Sequence, residues 1–308
     1  MCAPSRASVK RSGFVAIVGR PNTGKSTLTN ALVGTKVAIT SSKPQTTRHT
    51  IRGIVNTEDS QIILVDTPGI HRPRTLLGER LNELVRAAYA DVEVIAMCLP
   101  ANEECGTGDQ FICHELSAAY KTKRIALLTK IDTIPKAELP GKLIEVAELA
   151  KKSGFEWDEI VPVSALTGEQ LAVVIDVLSG ALPEGGMLYL DGEVTDEPQD
   201  IMVAELIREA ALEGVRDELP HSIAVMVEEI VPRTSGKKIT DVRAFIYVER
   251  PSQKSIVIGT GGARLKDVGT RARHAIEAYL GTPIFLDLHV KVAKEWQSDP
   301  KALNRLGW

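Results

Sequence analysis

The chain has 308 residues, 44% of them apolar and 25% charged, which supports two packed domains and excludes a disordered or fibrous chain. Its long apolar runs, such as 92–99 with Glu93 inside, are too short to cross a bilayer, and the N-terminus carries Arg6, Lys10 and Arg11 with no apolar run before Phe14, so no signal peptide is expected. The net charge of −3 does not suggest a nucleic-acid binder, but it is uneven: from Arg233 onward fourteen Lys/Arg stand against seven Asp/Glu, a basic segment of +7 on a remainder of −10. That asymmetry points to a separate polyanion-binding module.

In chain order, apolar runs at 14–18, 61–65, 92–99, 124–128 and 159–163 predict strands buried on both faces. The stretches between them are long enough for crossover helices, so the first part reads as a doubly wound α/β domain with a mostly parallel sheet. Residues 171–182 read as its last helix. Composition then shifts to Pro, Gly, Asp and Glu over 183–199, and the linker is placed at 184–199. Beyond it, Val203, Leu206, Ile207, Ala210 and Ala211 form a helical stripe, with Asp200 as the expected N-cap. Ile223, Val225 and Val227 alternate, as do Val242, Ala244, Ile246 and Val248. A helix over 263–280 follows, then alternation from Ile284 through Leu286, Leu288, Val290 and Val292. The expected organisation is a tail (1–12), an α/β domain (13–183), the linker, a smaller α+β domain (200–293) and a C-terminal tail (294–308).

The four cysteines, Cys2, Cys98, Cys105 and Cys113, form no C-x-x-C pair and have no histidine cluster beside them. Reduced thiols in a cytosolic protein fit this better than a metal site or disulfide framework.

The segment Gly19-Arg-Pro-Asn-Thr-Gly24-Lys25-Ser26 follows a predicted strand and precedes a helical stretch beginning at Thr27, the context that a phosphate-binding loop requires. Its glycines let backbone N–H groups turn toward phosphate oxygens. Around them, Asn22 and Thr23 complete the loop, Lys25 supplies positive charge to the β- and γ-phosphates, and the Ser26 hydroxyl suits Mg²⁺. By chance the pattern arises in a chain this long roughly once in a hundred. Alone it indicates a nucleotide phosphate and no particular base.

Three shorter motifs end later strands. Asp66-Thr-Pro-Gly69 places a carboxylate for Mg²⁺ and an N–H for a γ-phosphate. Thr129-Lys130-Ile131-Asp132 supplies a carboxylate that can pair with the N1–H and N2–H₂ donors of guanine, a donor pair that adenine lacks; the Lys130 stem can cover the base. Ser164-Ala165-Leu166 offers the Ala165 N–H to the guanine oxygen. Each motif alone reads equally as a solvated loop, but all sit after predicted strands, where α/β sheets bind ligands.

Ile256-Val-Ile-Gly259-Thr-Gly-Gly262 precedes the 263–280 helix. G-x-x-G between two helices is the mark of a KH domain, where glycines let an RNA backbone approach closely. Ile258 beside the loop can line a base groove, and Lys254, Arg264 and Lys266 flank Gly259, Thr260, Gly261 and Gly262 as phosphate contacts. A glycine-rich turn is the plainer reading of the loop taken alone.

With Gln45-Thr-Thr-Arg48 added, this set resembles the Era-like branch of the translation-factor-type small GTPases, over nearly the whole chain. The resemblance implies GTP/GDP binding and GTP hydrolysis, with Lys25, Thr47 and Gly69 serving catalysis. It implies Mg²⁺ held by Ser26, Thr47 and Asp66, with Thr46 the alternative to Thr47, and K⁺ as a second cation at Asn22. It implies a type II KH fold, the 3′ end of small-subunit ribosomal RNA and the 30S subunit as partners, a monomer, and a cytoplasmic location with peripheral contact at the inner membrane. Three positions depart from the family pattern: Thr129 where Asn is usual, which predicts fewer bonds to the phosphate loop; Ile70, which leaves no side chain to orient water; and Thr260 where Lys is frequent. The alternatives are a GTPase whose last domain contacts protein or membrane, an RNA-binding protein with little GTPase activity, and an ATPase.

Overall fold

The computed structural model of the chain describes residues 10–41, 43, 46–70, 73, 75–215, 219–233 and 238–308. They group into two compact units, the first comprising residues up to Ala38, Thr47–Arg72 and Leu81–Asp196, the second Ile39–Thr46, Pro73–Arg80 and Glu197–Trp308.

The first unit is built on β1 (Arg11–Val18), α1 (Lys25–Val33), β2 (Ile51–Asn56), β3 (Ser60–Asp66), α2 (Leu76–Ala90, whose residues up to Arg80 group with the second unit), β4 (Val94–Pro100), α3 (Thr107–Ser117), β5 (Lys123–Thr129), α4 (Leu139–Lys152), β6 (Glu159–Pro162) and α5 (Leu171–Ala181). The sheet order is β2-β3-β1-β4-β5-β6, with every pairing parallel except β2 with β3. Period-2 alternation sends β1 and β4 residues to opposite faces, and both faces are apolar. Ala16, Val18, Ile95 and Met97 pack with Val85, Ile112 and Leu149 on one side. Val15, Ile17, Val94 and Ala96 pack with Leu28, Val174 and Leu178 on the other. The edge strand β2 is absent from the predicted runs because Arg52 and Gly53 interrupt its apolar character.

In the second unit the elements are α6 (Gln199–Leu212), α7 (Leu219–Ser222), β7 (Ala224–Pro232), β8 (Thr240–Val248), α8 (Pro251–Ile258), α9 (Ala263–Leu280), β9 (Ile284–Val292) and α10 (Pro300–Arg305). β7 pairs antiparallel with β8, and β8 parallel with β9. Val203, Ile207, Val242, Ile246, Val268 and Ile276 form its core. The N-cap of α6 is Pro198, not Asp200, which lies inside the first turn, where a carboxylate favours the helix dipole. Trp296 is fully buried: its Nε1–H donates to the Ser222 carbonyl at 3.0 Å and its ring stacks on Trp308. From the sequence, Trp296 in the basic tail 291–305 reads equally as an RNA contact or as a packing residue; its burial makes it a packing residue.

Candidate functional site

The sheet's switch point lies at β1, flanked by β3 and β4, and the loop 19–24 leaves β1 there to cap α1, the position where open α/β sheets bind phosphates. The loop is tightly packed. At Gly19 (φ 146°) a Cβ would stand 2.7 Å from the Cys98 carbonyl oxygen and 2.9 Å from Thr23 Oγ1, so only glycine fits. Asn22 adopts φ 64° and Gly24 φ 93°. Thr23 is buried and donates to the Arg20 carbonyl at 3.0 Å. The Lys25 ammonium is buried and donates to the carbonyls of Gly19 (3.1 Å) and Arg20 (2.8 Å). Burial pushes its pKa down, with the Asp66 charge opposing. An ammonium carries three donors, so one N–H remains for an anion.

Three oxygens converge beside this lysine. Ser26 Oγ lies 2.8 Å from Thr47 Oγ1 and donates to Asp66 Oδ2 at 2.6 Å. Asp66 Oδ1 is buried and has no hydrogen-bond partner among the described residues. Burial raises the Asp66 pKa to about 6, against the lowering effects of the Ser26 hydrogen bond and the Lys25 charge. A buried carboxylate oxygen left unsatisfied beside two hydroxyls is a hard-cation donor set, and the residues present fit Mg²⁺. Thr46 is placed differently: its Oγ1 donates to the Lys43 carbonyl at 2.6 Å, so of the two threonines it is Thr47 that joins the cluster. Gly69 passes close to the loop, where a Cβ would stand 2.7 Å from Pro21 N. Ile70 donates its N–H to the Gly19 carbonyl at 3.3 Å, while its buried side chain packs into the sheet core with Val18.

After β5, the Thr129 hydroxyl reaches the carbonyls of Thr23 (2.6 Å) and Leu99 (3.3 Å). Thr129 thus ties this turn to the phosphate loop through a single hydrogen bond, to the Thr23 carbonyl. Lys130 (φ 58°) donates to the Asn22 carbonyl at 2.7 Å, which lays its stem along the loop. Asp132 sits in a 3₁₀ turn, and its Oδ1 accepts from Ser164 Oγ at 2.5 Å. Ser164 is buried, Ala165 half-buried, and Leu166 82% exposed. Ser26 and Thr27 lie in the first turn of α1.

In the second unit the loop 259–262 joins α8 to α9. Gly259 (φ 73°) leaves no room for a side chain: a Cβ would stand 2.7 Å from Arg264 Cβ. Gly261 (φ 58°) and Gly262 (φ 79°) have open space where a Cβ would sit, so conformation alone requires glycine there. Thr260 and Lys266 are placed at the loop and the start of α9, and Lys254 is half-buried on α8. Arg264 turns inward and donates to the carbonyls of Glu213 (3.0 Å) and Ala211 (3.4 Å), which makes it an anchor of the loop as much as a surface cation. Ile258 packs half-buried against the core. A groove of ≈ 670 Å³ between α9 and β9 is lined by Leu265, Lys266, Arg273 and the exposed Phe285. Gln45, His71, Arg72 and Arg74, which the sequence also brings to notice, lie outside the described residues.

Sequence reasoning missed a buried ion pair on α6. Arg208 and Glu205 are 1% and 3% exposed, and the guanidinium also donates to the Thr46 carbonyl. The available signal was two opposite charges at i, i+3 within a helix that is otherwise apolar nearly all round.

A family model described as a 50S ribosome-binding GTPase matches residues 14–130, and a KH domain model matches residues 218–297. The GTPase Era of Streptomyces coelicolor is 62% identical over 304 residues, covering 98% of this chain and 96% of that protein. The GTPase Era of Mycolicibacterium paratuberculosis is 64% identical over 299 residues, covering 97% and 99%. A crystal structure of Era in complex with MgGDPNP and nucleotides 1506–1542 of 16S ribosomal RNA is 38% identical with a TM-score of 0.92, covering 97% of this chain and 99% of that one. A single-residue variant of Aquifex aeolicus Era bound to GDP·AlF4⁻ is 37% identical with a TM-score of 0.91, covering 96% and 99%. With both domains matched and relatives aligned end to end, the chain belongs to the Era family of GTPases.

Proposed function

We propose that this chain is a GTP-hydrolysing switch that binds the 3′ end of small-subunit ribosomal RNA through its KH domain and acts in assembly of the 30S subunit. The observation that carries the reading is the nearly full-length likeness to an Era structure holding both MgGDPNP and 16S ribosomal RNA. The Ser26–Asp66–Thr47 cluster and the 259–262 loop, open at Gly261 and Gly262, supply this chain's own chemistry for both partners.

The residue roles follow. Gly19 to Thr27 cradle the phosphates, with Lys25 giving its remaining N–H to the β- and γ-oxygens. Ser26, Asp66 and Thr47 would hold Mg²⁺, which would neutralise charge on the phosphates. The Thr47 and Gly69 backbones face the γ-phosphate, so the loops that carry them respond to its loss. Ile70 carries no group that can orient water, so positioning of the nucleophile falls to backbone groups, and Asn22 is the residue that would hold K⁺, which would add positive charge there. Asp132 reads the guanine N1–H and N2–H₂ while Ser164 fixes its carboxylate; Ala165 and Leu166 close the base edge. In the RNA half, the 259–262 loop takes the backbone, with Lys254, Lys266 and Arg264 beside it. The protein works in the cytoplasm as a monomer, with peripheral contact at the inner membrane.

Turnover of GTP to GDP and phosphate by the full chain tests the enzymatic half, with excess ATP as competitor and KCl compared with NaCl at equal ionic strength. Binding of an RNA copying nucleotides 1506–1542 tests the other half. Turnover that ATP does not suppress, together with RNA binding weakened in Gly261→Asp, supports the reading. Displacement of GDP by ATP, or RNA binding unchanged in Gly261→Asp, contradicts it.

A further inference from the structure

The chain crosses from the second unit to the first at the Thr46–Thr47 peptide. On its second-unit side, the segment 39–46 is held at both ends by α6. Ile39 is fully buried in the core that includes Val203 and Ile207. The Thr40 N–H donates to Glu209 Oε1 at 2.9 Å. Further along the segment, the Thr46 carbonyl accepts from Arg208 Nη2. Arg208 is itself clamped by Glu205, through Nε to Oε1 at 2.8 Å and Nη2 to Oε2 at 2.5 Å.

Stability is a poor reason for this arrangement. A fully buried ion pair loses about as much by desolvation as it gains by attraction, and apolar replacements of both partners are often neutral or stabilising. What a bidentate clamp gives is direction: the guanidinium fork has one orientation, and it aims a donor at one carbonyl. That carbonyl belongs to the peptide whose nitrogen is Thr47, and Thr47 Oγ1 lies 2.8 Å from Ser26 Oγ in the cation cluster.

We propose that Arg208, clamped by Glu205, is a positioning residue for the nucleotide site: it fixes the Thr46–Thr47 peptide so that the Thr47 hydroxyl meets the Mg²⁺–triphosphate, and so sets the preference for GTP over GDP. The inference rests on the reading of Thr47 as a Mg²⁺ ligand. It makes a helix of the RNA-binding half a determinant of nucleotide choice. GDP has no γ-phosphate for this segment to engage, so its binding is independent of the clamp.

The test measures equilibrium binding of fluorescent GDP and a fluorescent non-hydrolysable GTP analogue to the full chain across a Mg²⁺ series. The variants are Arg208→Lys, Arg208→Met, the double variant Glu205→Leu/Arg208→Met, and Thr47→Val. Removing one partner strands a buried charge and can unfold the chain; the double variant removes both charges and keeps the apolar volume. Expected is a loss of about tenfold in affinity for the analogue, equivalent to about 1.4 kcal/mol, with a raised Mg²⁺ requirement and unchanged GDP affinity. Arg208→Lys should fall between wild type and the double variant. A folded double variant whose analogue-to-GDP preference equals wild type, while Thr47→Val loses that preference, overturns the role of Arg208 and leaves the Thr47 assignment standing. If Thr47→Val also keeps the preference, the ligand reading of Thr47 falls and this inference with it.

Discussion

The chain uses two glycine loops, each leading into a helix, and they are built differently. At 19–24 the loop is anchored by packing: Gly19 abuts the Cys98 carbonyl, Thr23 and the following Lys25 are buried, and Thr129 bonds to the Thr23 carbonyl. At 259–262 only Gly259 is crowded, and Gly261 and Gly262 face open space. A small ligand with fixed geometry favours a rigid, preformed cradle, because binding then costs little ordering. A flexible single-stranded backbone is served by a loop of the right conformation with nothing above it. The same residue type thus answers a packing demand in one loop and a conformational demand in the other.

The comparison predicts effects of descending size. Lys25→Ala removes the buried ammonium proposed to meet the phosphates, a charge-assisted contact of about 1.5–3 kcal/mol per hydrogen bond. Nucleotide affinity and GTP turnover should drop by about a hundredfold or more, while RNA affinity measured without nucleotide stays unchanged. Gly19→Ala should lower stability by about 3 kcal/mol in thermal or denaturant unfolding, since its Cβ meets backbone. Gly262→Ala, with open space and only a positive φ to satisfy, should cost about 1 kcal/mol. Equal costs at the two positions would erase the distinction between the loops.

The pH dependence of the two loops should also differ. Asp66 has its folded pKa raised to about 6 by burial, above its unfolded value. Its contribution to stability is therefore most favourable below the unfolded pKa and is lost as pH rises through the window up to about 6. Cation binding needs the ionised form, so Mg²⁺-dependent nucleotide affinity should fall by up to about tenfold per pH unit below about 6. Asp66→Asn should abolish this slope. An effect of similar size to that of Gly262→Ala is expected at the RNA loop. Gly261→Asp places a negative charge in the open space and should weaken RNA binding by about tenfold, more steeply at low salt, with RNA-free GTP turnover unchanged.

Legibility in the sequence followed locality. The positions of the phosphate loop, Asp66, Asp132, Ser164 and the 259–262 loop at the ends of strands or helices were readable, because each motif is a short run fixed by the element beside it. Thr129 was readable as a departure but not in its consequence: its partner, the Thr23 carbonyl, lies 106 residues away. The clamp on Thr46 was invisible for the same reason, since Arg208 reaches back 162 residues to a backbone atom that carries no sequence signal. Strand β2 was missed because an edge strand pairs through its backbone and tolerates the exposed Arg52. Trp296 could have been a stacking platform or a core residue; only the Ser222 carbonyl and Trp308 decide between them.

The central claim is that nucleotide state and RNA binding are coupled in one chain. It is tested most directly by the affinity of the full chain for an RNA copying the 3′ end of small-subunit ribosomal RNA, measured with Mg²⁺ and a non-hydrolysable GTP analogue and again with GDP. The account predicts tighter binding with the analogue, and loss of that difference in Thr47→Val. Equal affinity in the two nucleotide states would contradict it.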